Sequence, residues 1–471
     1  MTAILWFRHD LRLTDNPALS ALARDHTSFI PVYIWDDTTP TPMGSAQKWW
    51  LHHSLAALDQ ALQEKYNTPL LLLKGDPQKQ LENLVEQTKA QGLFWNRCYD
   101  PHAIQRDTNI KDHFKNRLFV QSFNGSLLFE PWEILNQSKK PFRVFTPFYK
   151  ACLNTLKPSQ PTDAPTALKG FHPQPQGHHL KDWDLLPTQP NWAQGFEPVW
   201  TPGEKGAHVQ LKEFLDHGLH DYDKGRDFPA QESVSRLSPH LHFGELSPHQ
   251  AWYAAQDSDA SPKNIAKFQS ELCWREFSYY LLFHFPTLPR ENFNPTFNQF
   301  EWQANKAHLK AWQRGKTGYP LVDAGMRELW RTGWMHNRVR MVVASFLTKH
   351  LLIHWHEGAE WFWDTLVDAD LANNSMGWQW VAGSGPDAAP YFRIFNPILQ
   401  SLKFDPTGEY LRKWVPELKN LSDKDIHAPW EASTATLKQA GVTLGNTYPR
   451  PIVDHDTARK KALSLYQHLK D

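Results

Sequence analysis

A doubly wound parallel α/β sheet followed by a mainly α-helical domain is the fold this sequence predicts, on three observations. Residues 1–130 alternate short apolar runs with amphipathic stretches, the pattern of parallel strands and crossover helices. Residues 157–202 are rich in proline and poor in periodicity, as a surface connector is. Beyond residue 205, apolar residues recur at helical spacing between caps and breakers. The expected partition is 1–130 for the α/β domain, 131–204 for the connector and 205–471 for the helical domain.

The strands expected are Ala3–Phe7, Phe29–Trp35, Leu70–Leu73, Leu93–Asn96 and Leu118–Ser122. Each is short and apolar, and helical patterns such as Ala46–Glu64 and Lys79–Ala90 lie between them. The connector carries nine prolines between Pro158 and Pro202 and is expected to hold no core element. After it, helices are expected at Gly206–Asp216, Ser261–Phe285, Ala304–Gln313, Asp323–Arg331 and Asn337–His350. No internal repeat or low-complexity tail interrupts them.

Composition narrows the function. At 471 residues the chain exceeds what a single core holds. It has 22 Trp and 27 Phe, and an excess of large aromatics beyond packing needs points to stacking. Lysine plus arginine equals aspartate plus glutamate at 50 each. A protein that coats nucleic acid would be basic throughout, so any such contact must come from a local patch. Three cysteines (Cys98, Cys152, Cys273) and no CxxC exclude a disulfide framework and fit a reducing cytosol. The N-terminal run MTAILWFRHDLR is neither a signal peptide nor a membrane span, so a cytoplasmic, soluble protein is expected. Arg8-His9-Asp10 follows the first strand where GxGxxG would stand, and GSGPDA at 383–388 follows a Trp-rich segment, so a nicotinamide dinucleotide site is excluded. His354-Trp355-His356-Glu357 lacks zincin spacing, and no metal is expected.

The chemistry concentrates in two runs. DADLANNSMGWQW (368–380) combines Asp368 and Asp370 with Asn373, Asn374, Trp378 and Trp380, and GWMHNRVRM (333–341) supplies Asn337, Arg338, Arg340 and Met341. Flat aromatics beside fixed charges and amides are what holding a redox-active ring and stacking a base require; a hydrolase needs a nucleophile or a metal instead. Tyr222 and the run Val234-Ser235-Arg236-Leu237-Ser238-Pro239 place hydroxyls, an arginine and backbone N–H groups ahead of a proline-started helix. That arrangement is an anion seat or an ordinary helix cap. Glu271 and Trp274 share one helix face, as do Asn337 and Met341.

These motifs resemble the signature of the DNA photolyase/cryptochrome family over nearly the whole chain, most densely from Tyr222 onward. The pattern is most similar to class I cyclobutane pyrimidine dimer photolyases of bacteria. The resemblance implies an N-terminal antenna domain and a helical domain that binds FAD and DNA. It assigns FAD contacts to Tyr222, Val234, Ser235, Arg236, Leu237, Ser238, Arg275, Arg340, Asp368, Asp370 and Asn374. Val234 departs from the family's usual Thr and removes one hydroxyl. Arg340 and Asp368 are implied to pair beside the flavin ring, with Asn374 facing N5. Glu271, Trp274, Asn337, Arg338, Met341, Trp380 and Gln400 are implied to meet a pyrimidine dimer flipped from UV-damaged DNA, and Glu271, Asn337, Arg338, Met341 and Asn374 to serve its repair. Arg393 and Lys403 are phosphate contacts by charge alone. Trp378, Trp355 and Trp302, in the contexts GWQW, LLIHWHEG and FEWQ, match the family's electron-transfer tryptophans. Excited, fully reduced FAD would pass one electron to the dimer and recover it.

Two rival activities share this pattern. A blue-light receptor would carry a C-terminal extension, and the chain is expected to have none because it ends soon after YPRPIVDHDTARKKAL. A (6-4) photoproduct photolyase would carry a histidine pair where His336-Asn337 stands. A monomer without an obligate protein partner is expected. The antenna stays open between 8-hydroxy-5-deazaflavin, a second flavin and methenyltetrahydrofolate. Folate-using members carry Asn-Glu where this chain has His102-Ala103, and Cys-Lys where it has Pro289-Arg290. Loose or absent folate binding is therefore expected, while Arg8, Asp10, Trp35, Lys48 and Asp100 suggest a polar, aromatic-lined cleft.

Overall fold

Five parallel strands, β1 (Thr2–Phe7), β2 (Ser28–Trp35), β3 (Leu71–Lys74), β4 (Gly92–Asn96) and β5 (Phe119–Phe123), form a sheet of order β3-β2-β1-β4-β5 in the computed structural model. All the pairings are parallel, with Thr2 opposite Ser28 and Ala3 opposite Gly92. The structure describes residues 1–155, 157–388 and 393–469. Ile4, Trp6, Ile30, Val32, Leu93 and Trp95 are buried in one cluster, as strands covered on both faces should be. Each expected strand is present within a residue or two at either end.

The crossover helices are α1 (Pro17–Asp25), α2 (Ser45–Tyr66), α3 (Pro77–Thr88) and α4 (Pro101–Phe114), and all but α2 share a start signal. In three of them an Asn or Asp precedes a proline. Asn16, Asp76 and Asp100 accept the backbone N–H of Leu19, Lys79 and Ala103 at 3.1, 3.0 and 2.8 Å. The side chain satisfies one open donor, and proline at the first helical position lacks the donor that would otherwise be open.

Two compact units divide the chain. The first comprises Met1–Trp192, Glu197–His220 and Ser235–Pro286, and the second Ala193–Phe196, Asp221–Val234 and Thr287–Asp471. Packing thus groups the chain at points other than 130 and 204, because residues 197–220 and 235–286 belong with the sheet. The connector also contributes more than expected. Helix α5 (Phe145–Thr155) buries Phe148 against Phe277 and Tyr280 of the helix Pro262–His284, with ring centroids at 5.0 and 4.8 Å. A two-residue strand, β6 (Lys169–Gly170), pairs with the start of β2.

The second unit is helical. Its helices include Lys306–Gln313, Pro320–Thr332, Asn337–Ser345, Trp355–Thr365, Leu371–Ala382 and Pro397–Phe404. Their core collects Trp312, Leu329, Val339, Phe346, Trp355, Phe362 and Trp378. The single helix expected over 337–350 is α-helical only to Ser345. A π-turn, Phe346–His350, completes it; such turns shift the hydrogen-bond ladder by one residue. Among the described residues no helix is long and apolar enough to cross a membrane.

Candidate functional site

In the second unit the two acid-bearing positions do different work. Asp370 caps the helix Leu371–Ala382, accepting from the Asn373 backbone N–H at 2.8 Å and its Nδ2 at 2.6 Å. Asp368 accepts from Arg340 Nη2 at 2.8 Å, and Arg340 Nε donates to the Met335 carbonyl at 2.7 Å. The guanidinium is therefore held at two points by two different acceptors, using the several donors of its rigid fork. The pairing implied by the resemblance forms. Asn374 donates Nδ2 to the Ala359 carbonyl at 3.0 Å. Because a carbonyl accepts only a donor, this bond fixes the amide's sense: nitrogen toward the neighbouring helix, Oδ1 as the acceptor left to present. One turn on, a Cβ at Gly377 would meet no atom within 4 Å. Fixed cation, amide acceptor and open space beside a helix fit a flavin ring.

Arg338, Met341 and Asn337 stand on the helix Asn337–Ser345. Arg338 pairs with Asp227 at 2.7 Å, lies 4.5 Å over the Phe404 ring and approaches Met341 Sδ at 4.0 Å. Asn337 is exposed. The helix begins with His336, whose Nδ1 accepts the Arg338 backbone N–H at 3.2 Å. That role requires an unprotonated ring nitrogen, and burial pushes the imidazole pKa down to about 3. His354 repeats the device, accepting from the His356 N–H at 3.1 Å, and burial followed by the neighbouring His356 brings it down to about 4.

Trp355 and Trp378 lie in the core of this unit, and Trp302 packs half-buried against it. Trp378 lies against Phe362 at 5.0 Å and Trp312 at 6.2 Å, and a Cβ on Gly358 would run into its ring. Trp355, three residues before Gly358 on the same helix, is fully buried and donates Nε1 to Asn292 Oδ1 at 2.9 Å. Trp302 lies 5.1 Å from His354, which is 5.6 Å from Trp355. Trp302 Nε1 is buried with no hydrogen-bond partner among the described residues. Trp380 is half-buried and donates Nε1 to the Asp387 carbonyl at 3.1 Å. Gln400 is half-buried, with Oε1 unpartnered among the described residues. Tyr222 is buried, 5.6 Å from the Arg226 guanidinium, and Val234 is half-buried.

In the first unit, Ser235 Oγ accepts the Leu237 N–H at 3.4 Å, and Gln210 holds the Ser235 carbonyl at 3.1 Å. Arg236 has φ of 52°, a left-handed conformation that a β-carbon disfavours and that clusters at binding sites. Leu237 is buried and Ser238 exposed. Arg275 donates Nη1 to the Ser126 carbonyl at 2.8 Å and lies 4.9 Å from the Tyr279 ring. Glu271 pairs with Lys267 at 2.8 Å, and Trp274 stacks on Phe145 at 3.7 Å with 10° between planes, so one indole face is already covered.

The polar cleft expected at the strand ends is changed by two of its members. Arg8 makes a bidentate pair with Asp107 at 2.8 and 2.7 Å and also donates to the Asn96 carbonyl, while Asp10 accepts from the Arg8 N–H at 2.6 Å and Asn96 Nδ2 at 2.7 Å. Both are buried in an internal network and are not free grips for an antenna. Sequence reading also missed Asp227, Phe404, Phe145, Asn292 and Glu276. Glu276 is buried, accepts the Leu128 N–H at 2.8 Å, and is raised by burial to about 7. No local pattern marks these residues.

The comparisons with known proteins agree with this geometry. A family profile described as DNA photolyase matches residues 3–167, and one described as the FAD binding domain of DNA photolyase matches residues 268–468. The deoxyribodipyrimidine photo-lyase of Agrobacterium fabrum is 51% identical over 99% of this chain and 98% of its own. Cryptochrome-2 of Arabidopsis thaliana is 39% identical over 98% of this chain and 78% of its own. A crystal structure described as a bacterial class III photolyase from Agrobacterium tumefaciens superposes with a TM-score of 0.97 at 51% identity, covering 100% of this chain and 98% of that one. With an α/β parallel-sheet N-terminal fold, a helical FAD-binding domain and this likeness along its whole length, the chain belongs to the DNA photolyase/cryptochrome family.

Proposed function

We propose that this protein repairs cyclobutane pyrimidine dimers in UV-damaged DNA in a light-dependent reaction, as a deoxyribodipyrimidine photo-lyase. The observation that carries the reading is the 51% identity to a deoxyribodipyrimidine photo-lyase across 99% of the chain. The 51%-identical structure is described as class III, and we read this chain as that class in place of the class I suggested by its motifs. When bound, fully reduced FAD supplies on illumination the single electron that opens the cyclobutane ring and afterwards takes it back.

The chain's own residues position and tune. Arg340, fixed by Asp368 and Met335, holds positive charge where an electron-rich ring needs it. Asn374 presents Oδ1 to a ring N–H, as its bond to Ala359 dictates. Tyr222, Val234, Asp370, Ser235, Arg236, Leu237, Ser238 and Arg275 complete the FAD contacts, with the strained Arg236 at the diphosphate. Arg338, oriented by Asp227 and Phe404, and Met341 beside it meet the dimer with Asn337, Glu271, Trp274, Trp380 and Gln400. Trp378, Trp355 and Trp302 relay electrons inward when FAD has to be reduced by light. The protein is read as a cytoplasmic monomer, with residues 1–130 as antenna domain, 131–204 as connector and 205–471 as catalytic domain.

A cryptochrome-type light receptor is the second reading, favoured by the 39% identity to Cryptochrome-2. One experiment separates them. Purified protein, reduced and illuminated with blue light, is mixed with an oligonucleotide carrying one thymine dimer. Stoichiometric flavin with restored thymines in light and none in darkness is expected. Flavin photochemistry without any repair would move the protein to the receptors.

A further inference from the structure

The second unit contains a cavity of about 1030 Å³ that the repair reaction does not use. Trp302 and His354 form part of its wall, together with Lys306, Lys310, Arg314, Trp330 and Trp361. Two features separate it from an ordinary solvated surface. Residues 303–322 contain no aspartate or glutamate, although the chain as a whole balances its charges. Lys306 and Lys310 stand four residues apart on one side of the helix Lys306–Gln313, where like charges repel, and Arg314 follows four residues on as its C-terminal cap. All three are exposed, and among the described residues none has an ion-pair partner. Glu357 is the one carboxylate on the wall among the described residues, and Arg327 is paired with Glu417 at 2.8 Å. The aromatic half is equally unusual. Trp330 stays 52% exposed while lying parallel to Trp361, 6.0 Å between centroids and 7° between planes. An indole held flat and open is a stacking platform, and a cation row beside it is a phosphate seat.

We propose that this cavity docks a planar, phosphate-bearing one-electron donor, of the chemical type of reduced flavin mononucleotide, and passes its electron to Trp302. The assignment rests on the relay reading of Trp302 given above. The isoalloxazine stacks on the Trp330–Trp361 pair and the phosphate sits on the Lys306–Lys310–Arg314 row. The dihydroflavin loses one electron to the oxidised indole of Trp302, which returns to its closed-shell state. No bond forms or breaks, and the donor departs in its one-electron-oxidised form.

The test starts in darkness with FAD-loaded protein, so that it does not depend on the relay. Oxidised flavin mononucleotide, riboflavin and a single-stranded oligonucleotide are titrated by equilibrium dialysis. Saturable binding of the mononucleotide is expected, with riboflavin weaker by roughly tenfold or more for want of a phosphate. The variant Lys306→Gln/Lys310→Gln should weaken the mononucleotide to a similar extent, and Trp330→Ala should weaken both flavins, with FAD content unchanged. In flash photolysis, decay of the Trp302 radical should speed up saturably with reduced flavin mononucleotide in the wild type and without saturation in the lysine variant. Absent or non-saturable dark binding overturns the proposal, as does unchanged binding by both variants. An oligonucleotide that binds more tightly and loses affinity in the same variants overturns it in favour of nucleic acid. If dark binding is as expected but Trp302→Phe leaves flavin photoreduction intact, it is the relay reading that fails, and the donor role with it.

Discussion

His336 holds the first turn of the helix Asn337–Ser345 by accepting a backbone N–H, and it does so as a neutral ring. With a folded pKa of about 3 against 6.5 unfolded, the unfolded chain takes up a proton between those limits and the folded chain does not. Stability is therefore unaffected above pH 6.5 and is lost as pH falls below it, by roughly 1.4 kcal/mol per pH unit for each such histidine. Urea unfolding at pH 7.5, 6.5 and 5.5 should show this decline. His336→Asn keeps a capping acceptor without the titration and should flatten part of it; parallel curves for variant and wild type would remove His336 as the cause. A second expectation concerns Trp302→Phe. Phenylalanine fills the site but resists oxidation, so photoreduction of oxidised FAD should slow sharply while repair by chemically pre-reduced protein stays near the wild-type rate. A joint fall in both would make Trp302 structural. The proposed site residues stand in motifs that are local in sequence. Their partners do not. Asp227 is 111 residues from Arg338, and Phe145 sits in a segment that sequence alone reads as connector, so only folding pairs them with the residues they orient.

The inner strands could be read from the sequence because a parallel sheet buries both their faces, which writes them as apolar runs between polar turns. The edge strand β5 (FVQSF), by contrast, is only partly buried and carries Gln121 and Ser122. The Asn-Pro and Asp-Pro starts of three helices were not used: the pattern expected from Lys79 belongs to a helix that begins at Pro77 behind the Asp76 cap. Helix α5 was not legible, because its aromatic residues lie in a proline-flanked stretch without clear amphipathic period. The π-turn at Phe346–His350 was invisible for a different reason: its side chains continue an apolar helical pattern while only the backbone ladder slips. Contact between elements was invisible too, and Gly358 shows what depends on it. The helix Trp355–Thr365 approaches Trp378 at a glycine, where an added methyl would collide with the ring. Gly358→Ala gains helix propensity but overpacks this contact, a net cost of about 1–3 kcal/mol. Displacement of Trp378 should also slow photoreduction. A variant as stable and as photoreducible as wild type would deny the contact its importance.

For the whole molecule, zero formal net charge at 50 cations and 50 anions sets the terms of DNA binding. Undamaged duplex should bind weakly, with log affinity falling by about 0.9 per phosphate contact for each decade of salt. Dimer-containing DNA should bind orders of magnitude more tightly at the same salt, because the flipped lesion adds contacts that salt does not screen. Equal affinities in a titration at two salt concentrations would rule out recognition of the lesion. The interleaved course of the chain, which passes between its two units five times, has a consequence in time. Residues 221–234 belong to the second unit but leave the ribosome well before 287–471. At about 5–20 residues per second, Asp227 waits on the order of ten seconds for Arg338. From residue 286 onward the first unit has its own segments complete, while Asp221–Val234 is still without the rest of its unit. A nascent chain arrested near residue 300 should be cut by protease within 221–234 and protected in its sheet. Release to full length should close that site, so slow synthesis past residue 287 prolongs the most vulnerable moment in the life of this protein.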